Sequence, residues 1–289
     1  MPVSPKRASF KRHIQAEVDS FFARHEPRET CLVLDSTGPA ATKHYLVLAA
    51  IGLERLRQLR EIHAFSGGAF AYFGYHALSQ GKTNYPLTAL VEGHSEAAVR
   101  RFHHPSRLSP VRALSRLLLN KTAFGTTAPL INTLDFIFAP EHLDKRLSDF
   151  PSNLTIYLGA KGQQLPVAVS ARTSSGPAAD GRQLHDLTVR ELVTLATTVP
   201  FVYGARDRSN EFFDAAFTPG YRRTLRALVR QEYPVLVSTP WRPDTRGRIT
   251  YLNCYGHDHQ KLRMSIDFAR LLLNLPNRDW GEDIEAAFL

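Results

Sequence analysis

The 289-residue chain holds only two cysteines, Cys31 and Cys254. Two cysteines make no disulfide framework, and neither sits in a short Cys/His spacing typical of metal sites. Both lie in apolar runs, so buried thiols in a reducing compartment are expected, with no metal and no cofactor. Long apolar runs are also missing. None reaches the roughly 18 residues that a membrane-spanning helix needs. The basic start, Met1 to Arg12, is not followed by the apolar core of a Sec signal. The expectation is a cytoplasmic protein, with peripheral membrane contact or export by a non-Sec route left open.

Acidic residues are in the minority: 27 Asp and Glu stand against 36 Lys and Arg, for a net charge of +9. A basic surface favours anionic partners. The basic stretches near residues 100–116 and 222–230 carry no aromatics at stacking intervals and no nucleic-acid motif. Nucleic acid is therefore not expected; these faces are either simply solvated or touch an anionic membrane surface or an acyl carrier protein. Nothing in the sequence bears on oligomeric state.

What is present is an ordinary globular composition, 43% apolar with 17 Phe and 10 Tyr. It is enough for a substantial core in one α/β domain with extensions. Residues 7–25 read as an amphipathic helix, with Phe10, Ile14, Val18, Phe21 and Phe22 at three- and four-residue spacing. After a linker, Thr30 to Asp35 is a short apolar run, read as a buried strand. The loop Ser36 to Ala41 leads into a helix over Thr42 to Gln58. Arg60 to Phe65 reads as a second strand, and Gly67 to Ser79 as another apolar helix. Strand, helix, strand, helix is the pattern of a parallel sheet.

Later elements are sparser. Two basic helical stretches fall near Ser95 to Phe102 and Pro110 to Lys121, followed by Leu130 to Phe138. Strands are expected at Asn153 to Leu158 and Leu165 to Ala171, then a mobile loop over Ser174 to Asp180. A helix over Thr188 to Thr197 follows, and a short strand from Glu211 ends at Asp214. A basic helix over Pro219 to Gln231, strands at Val235 to Thr239 and Ile249 to Tyr255, and a helix from Asp258 to Leu273 complete the reading.

The chemistry-bearing feature is Ala64-Phe65-Ser66-Gly67-Gly68, of the form small-x-Ser-x-Gly. It stands where an apolar strand ends and an apolar helix begins, as a nucleophile elbow requires. Small residues two before and two after the serine permit the tight turn. The amide end of the following helix favours negative charge beside Ser66. The bland alternative is a serine that merely caps the helix. A serine nucleophile also needs amide donors for the developing oxyanion. The loop Ser36-Thr37-Gly38-Pro39 lies at the carboxyl end of the neighbouring strand, beside the elbow. Pro39 has no amide hydrogen, so Thr37, Gly38 or Ala40 must donate, with Gly67 at the helix start.

These segments together resemble patatin-like phospholipases. The run LVLDSTGPAATKHYLVL resembles the first strand, glycine-rich loop and helix of that family, with His44, Val47 and Leu48 in matching places. IHAFSGGAF resembles its Gly-x-Ser-x-Gly elbow, LTVRELVTLATTVPFVYG its later helix and Ser-Ala-Ile-Pro stretch, and EFFDAAF its strand ending in Asp-Gly-Gly or Asp-Gly-Ala. The order and intervals agree over residues 30 to about 220. The family's loop glycines are here Ser36, Thr37 and Ala41, its basic loop residue is Ala40, and Asp35 replaces a small residue.

The resemblance implies a three-layer α/β/α patatin-like fold with a mainly parallel sheet. It implies a catalytic Ser66–Asp214 dyad without histidine, with Thr37, Gly38 and Gly67 as the oxyanion hole. Asp35 is a candidate accessory acid or base, or simply a brace for the loop. Phe212, Phe213 and Phe217 are expected to give Asp214 the apolar setting that raises its pKa; otherwise Asp214 is a turn or cap residue. The implied function is hydrolysis of lipid acyl esters, of phospholipase A or lysophospholipase type, through an acyl-enzyme. The alternatives are acyl transfer or thioester cleavage on a carrier-bound chain, or a catalytically weak module that binds lipid or a partner. A Ser-acid-His hydrolase using Ser66, Asp214 and His257 or His259 is the nearest rival. The domain expectation is residues 1–29 as helix and linker, 30–220 as core with 84–150 a candidate lid and acyl-binding region, and 221–289 as an extension.

Overall fold

The computed structural model describes residues 5–93, 125–171, 183–200, 203–204, 211–240, 248–254 and 279–288. Its centre is built from short apolar runs. Strand β1 (Cys31–Leu34) and strand β2 (Glu61–Phe65) are too short and too apolar for surface helices, and all of β1 is buried. They pair in parallel, with Cys31 opposite Glu61 and Leu34 opposite Ala64. After the two-residue β3 (Gly125–Thr126) come β4 (Leu154–Ala160) and β5 (Val167–Ser170). The two-residue β6 (Tyr203–Gly204), β7 (Phe212–Asp214), β8 (Val235–Thr239) and β9 (Ile249–Asn253) follow.

Seven of these strands form one sheet in the order β5-β4-β2-β1-β8-β9, with β7 also pairing β4. The β4–β2, β2–β1, β1–β8 and β8–β9 pairs are parallel; β5 and β7 run antiparallel to β4. The protein is thus α/β with a mainly parallel central sheet. Because β8 hydrogen-bonds to β1, the sheet continues into the chain beyond residue 220.

Helices cover both faces. On one face lie α1 (Pro5–Phe22), α2 (His44–Ile51), α3 (Leu53–Gln58) and α4 (Gly67–Ser79). In α1 the residues Ile14, Val18 and Phe21 are buried, one stripe of the amphipathic repeat. The sequence reads residues 42–58 as one helix. The chain instead makes a 3-10 turn over Gly38–Lys43, runs as α2, and breaks at Gly52, where φ is 79°. Helix periodicity does not register such a break, because apolar residues continue across it.

The same layer continues with α5 (Leu87–Gly93), α6 (Ala128–Ile137), the single turn α7 (Pro140–Leu143) and α8 (Val189–Thr197). Thr188 caps α8, accepting from the Glu191 amide, while Glu191 reaches back in a capping box. On the other face α9 (Tyr221–Val229) places Leu228 and Val229 against Val33, Val235 and Val237. The last described helix, α10 (Asp279–Phe288), is absent from the sequence reading. The expected helices at 95–102, 110–121 and 258–273, and the loop at 174–180, lie outside the described residues. Of the candidate lid's apolar groups, Ile137 and Phe138 are buried in the core.

The start of α4 presses against the end of β1. A Cβ on Gly68 would lie 2.4 Å from the Leu34 carbonyl oxygen, so only glycine fits there. This contact dictates the sharpness of the turn at Ser66. Gly68→Ala is expected to destabilise the protein by about 3 kcal/mol in urea unfolding, because backbone must move. A loss below about 1 kcal/mol would mean that the helix stands further from β1 than described.

Candidate active site

Ser66 ends β2 and starts α4 with φ 49° and ψ −120°, and is the single non-glycine residue with positive φ among those described. A side chain held in such a backbone costs of order 1–3 kcal/mol and persists only where the surroundings impose it. Ser66 occupies the N-cap position of α4, yet its side chain makes no capping bond. Its hydroxyl instead donates to Asp214 Oδ2 at 2.5 Å. The capping alternative therefore does not describe this serine.

Asp214 arrives from the opposite direction. β7 is antiparallel to β4, with Asp214 opposite Leu158, and the Asp214 amide donates to the Thr198 carbonyl at 2.9 Å. Its two carboxyl oxygens divide the work. Oδ1 accepts from the Ala216 amide at 2.9 Å, and Oδ2 accepts from Ser66. The cap reading of Asp214 is thus correct for one oxygen only. Burial pushes the carboxyl up to about 7, while the Ser66 and Ala216 hydrogen bonds pull it down. The expected aromatic setting is only partly met: Phe212 and Phe213 are half-buried, but Phe217 is 46% exposed. Buried Leu158, Ala215 and Thr198 stand around the carboxyl's backbone instead.

The loop after β1 packs against the elbow. A Cβ on Gly67 would lie 2.5 Å from Thr37 Oγ1 and 3.0 Å from the Gly38 carbonyl oxygen. Thr37, Gly38 and Gly67, the three residues read from the sequence as oxyanion donors, are thereby brought together beside Ser66. Gly67 is the first residue of α4, where backbone N–H groups have no acceptor within the helix. The Ser66 carbonyl already accepts from the amides of Ala69 and Phe70. Thr37 Oγ1 is buried and has no hydrogen-bond partner among the described residues. Such a group costs roughly 1–3 kcal/mol unless a bound ligand completes it.

Asp35 is 1% exposed and braced from three sides. Its Oδ1 accepts from the Ser36 amide at 2.7 Å and from the Tyr221 hydroxyl, and its Oδ2 accepts from the Thr239 hydroxyl at 2.7 Å. Burial raises its pKa against these three hydrogen bonds. The carboxyl captures the Ser36 amide, which is therefore not a donor toward Ser66. Asp35 thus fixes the loop and makes no bond to Ser66.

Behind it His44 is wholly buried. Its Nε2–H donates to the Asp35 carbonyl at 2.9 Å, and the Ser238 hydroxyl donates to its Nδ1 at 2.7 Å. The carbonyl can only accept, which assigns this tautomer. Burial lowers the imidazole to about 4, so the ring is neutral at physiological pH.

Residues missed in the sequence complete the frame. The Asp283 carboxylate of α10 accepts from the Thr42 hydroxyl at 2.8 Å and from Lys43 Nζ at 3.1 Å, all buried. Tyr221 and Asp283 carry no local motif, so only the fold brings them to the loop. His257 and His259 lie outside the described residues, and no described histidine hydrogen-bonds to Ser66 or Asp214. Away from this site, Cys31, Glu61 and His63 are grouped closely enough to hold a metal ion.

No protein-family model and no curated protein matches the chain. No described helix is long and apolar enough to cross a membrane.

The raised carboxyl has a consequence for stability. The unfolded Asp214 loses its proton near 3.8, the folded one near 7. Between these values the folded state holds a proton that the unfolded chain has released, so stability falls as pH rises through this window and is level above it. Asp214→Asn removes this loss. In urea unfolding the variant is expected to gain on the wild type between pH 4 and 7, by about 4 kcal/mol at most. A difference independent of pH would contradict the raised pKa.

Proposed function

We propose that the protein is a serine acyl hydrolase that cleaves lipid acyl esters through a Ser66–Asp214 dyad. The observation that carries this reading is the 2.5 Å hydrogen bond from a positive-φ serine to a fully buried carboxyl group. A carboxylate in water is a poor base toward a hydroxyl. One whose pKa lies near 7 is much better matched to taking a proton at neutral pH. The Asp214 carboxylate removes the Ser66 proton as Oγ attacks the ester carbonyl. Negative charge develops on the carbonyl oxygen, beside the Thr37 and Gly38 loop and the first amides of α4. The alcohol leaves with the proton from Asp214. Water, deprotonated by the same carboxylate, then attacks the acyl carbonyl, and Ser66 Oγ leaves with the proton returned from Asp214.

The unpartnered Thr37 hydroxyl supports a further detail: where a glycine loop offers only amides, this loop adds a side-chain donor to the oxyanion. The resemblance to patatin-like acyl hydrolases over residues 30–220 supports the lipid ester as substrate class, and the net positive charge favours an anionic lipid surface. A carrier-bound thioester would be cleaved, or its acyl group transferred, by the same steps.

The test is mass spectrometry of products from a panel of phospholipids, lysophospholipids, neutral esters and acyl-carrier thioesters. Product from at least one class, with Ser66→Ala inert, is expected. A wild type inert on all classes, or an active Ser66→Ala, would overturn the proposal. Within an active enzyme, Thr37→Val is expected to lower kcat about 10- to 100-fold with KM little changed, and Thr37→Ser to restore most of it. Full activity in Thr37→Val would leave the oxyanion to backbone amides alone.

A further inference from the structure

Parallel pairing has a second effect, at the other end of the sheet. Cys31 opens β1 and stands opposite Glu61, which opens β2. His63, two residues on, points to the same face. One ligand atom from each of these three side chains lies within 4.8 Å of the other two. Along β2, at roughly 3.3 Å per residue, His63 stands about 10 Å and Glu61 about 16 Å from Ser66. It takes no part in the chemistry described above.

From this juxtaposition we infer that Cys31, Glu61 and His63 form a binding site for a zinc ion.

The donor set selects the metal. Thiolate, imidazole and carboxylate together suit Zn²⁺, whereas Mg²⁺ and Ca²⁺ take oxygen ligands. Around tetrahedral zinc, ligand atoms stand about 3.5 Å apart. His63 Nε2 and Glu61 Oε2 are already 3.0 Å apart, so closing the site needs only side-chain rotation toward Cys31. Tyr157 supports the ring from behind, its hydroxyl 3.1 Å from His63 Nδ1. With zinc on Nε2, Nδ1–H donates to that hydroxyl, the kind of outer contact that holds a ligating imidazole in place.

A fourth donor is at hand: Gln231 Oε1 lies 3.7 Å from Cys31 Sγ. The ion has a way in, because the Glu61 side chain is 41% exposed while that of His63 is 7% exposed. The nearby Arg60 guanidinium is held on Tyr233, 3.7 Å from the ring centroid and hydrogen-bonded to its hydroxyl. Binding releases the Cys31 thiol proton to solvent, while the neutral His63 ring keeps its one proton, on Nδ1.

A thiol-based catalytic triad fits less well. Both His63 nitrogens are engaged, by Glu61 and Tyr157, so neither faces the Cys31 thiol as a base. Zinc would clip β1, β2 and Gln231 beyond the end of α9, segments up to 200 residues apart in sequence.

The full chain, stripped with a chelator, is titrated with Co²⁺ and then Zn²⁺. One cobalt per chain is expected, with tetrahedral d–d bands and a thiolate-to-cobalt charge-transfer band that zinc abolishes. Cys31→Ser should lose the charge-transfer band, and Cys254→Ser should keep it. Glu61→Gln, at a half-exposed position that tolerates change, and His63→Ala should each weaken binding at least tenfold. Zinc should raise the Tm of the wild type and leave that of Cys31→Ser unchanged. Ser66→Ala should bind as the wild type does, so the result stands whether or not Ser66 is a nucleophile. Substoichiometric cobalt binding, a charge-transfer band that survives in Cys31→Ser, or equal affinity in Glu61→Gln and His63→Ala would each overturn the site.

Discussion

A carboxyl group shut away from water is costly to ionise, and Asp214 is shut away completely. The arrangement around Ser66 follows from that cost. The serine hydroxyl is one of two donors that the carboxyl receives, and the Ala216 amide is the other. The burial that penalises the carboxylate also makes it a base of suitable strength near neutral pH. To meet it, the chain must hold Ser66 in a backbone conformation that a serine rarely adopts. Contact between Gly68 and the Leu34 carbonyl enforces that conformation from below. Strain in the turn and the buried acid are therefore two halves of one arrangement, and the stability of the surrounding sheet sustains both.

The loop beside Ser66 is held by a different set of contacts. Asp35, Tyr221 and Thr239 fix its start, and His44 ties it to Ser238. Lys43 and Thr42 fix its far end to Asp283. Between these anchors the loop Ser36 to Ala41 holds a single glycine, Gly38. Thr37 is the consequence of interest: its hydroxyl is buried at the elbow and has no partner among the described residues. Polar groups of this kind are rare in folded proteins, and a transition state is one thing that completes them.

How far the sequence discloses this depends on distance along the chain. β1, β2 and α4 are legible because apolar runs, a small-x-Ser-x-Gly turn and short spacings speak locally. Ser66 and the loop follow at once, since neighbouring parallel strands must end side by side. Asp214 is readable as the end of a short strand, but its antiparallel approach to β4 is not, because strand direction leaves no mark in three residues. Gly52 divides a helix whose periodicity looks continuous. Tyr221, Thr239 and Asp283 are invisible beforehand, as each reaches the loop across 186 to 241 residues. The Cys31, Glu61 and His63 group is hidden for the same reason: a register, not a motif, assembles it.

The most direct test is the pH dependence of covalent labelling of Ser66 by a fluorophosphonate, whose phosphoryl oxygen occupies the place of an ester carbonyl oxygen. The labelling rate should rise about tenfold per pH unit up to about 7 and then level off. In Asp214→Asn it should be slower by several orders of magnitude and flat with pH. A rate that ignores pH between 5 and 8, or an Asp214→Asn variant labelled as fast as the wild type, would contradict the dyad.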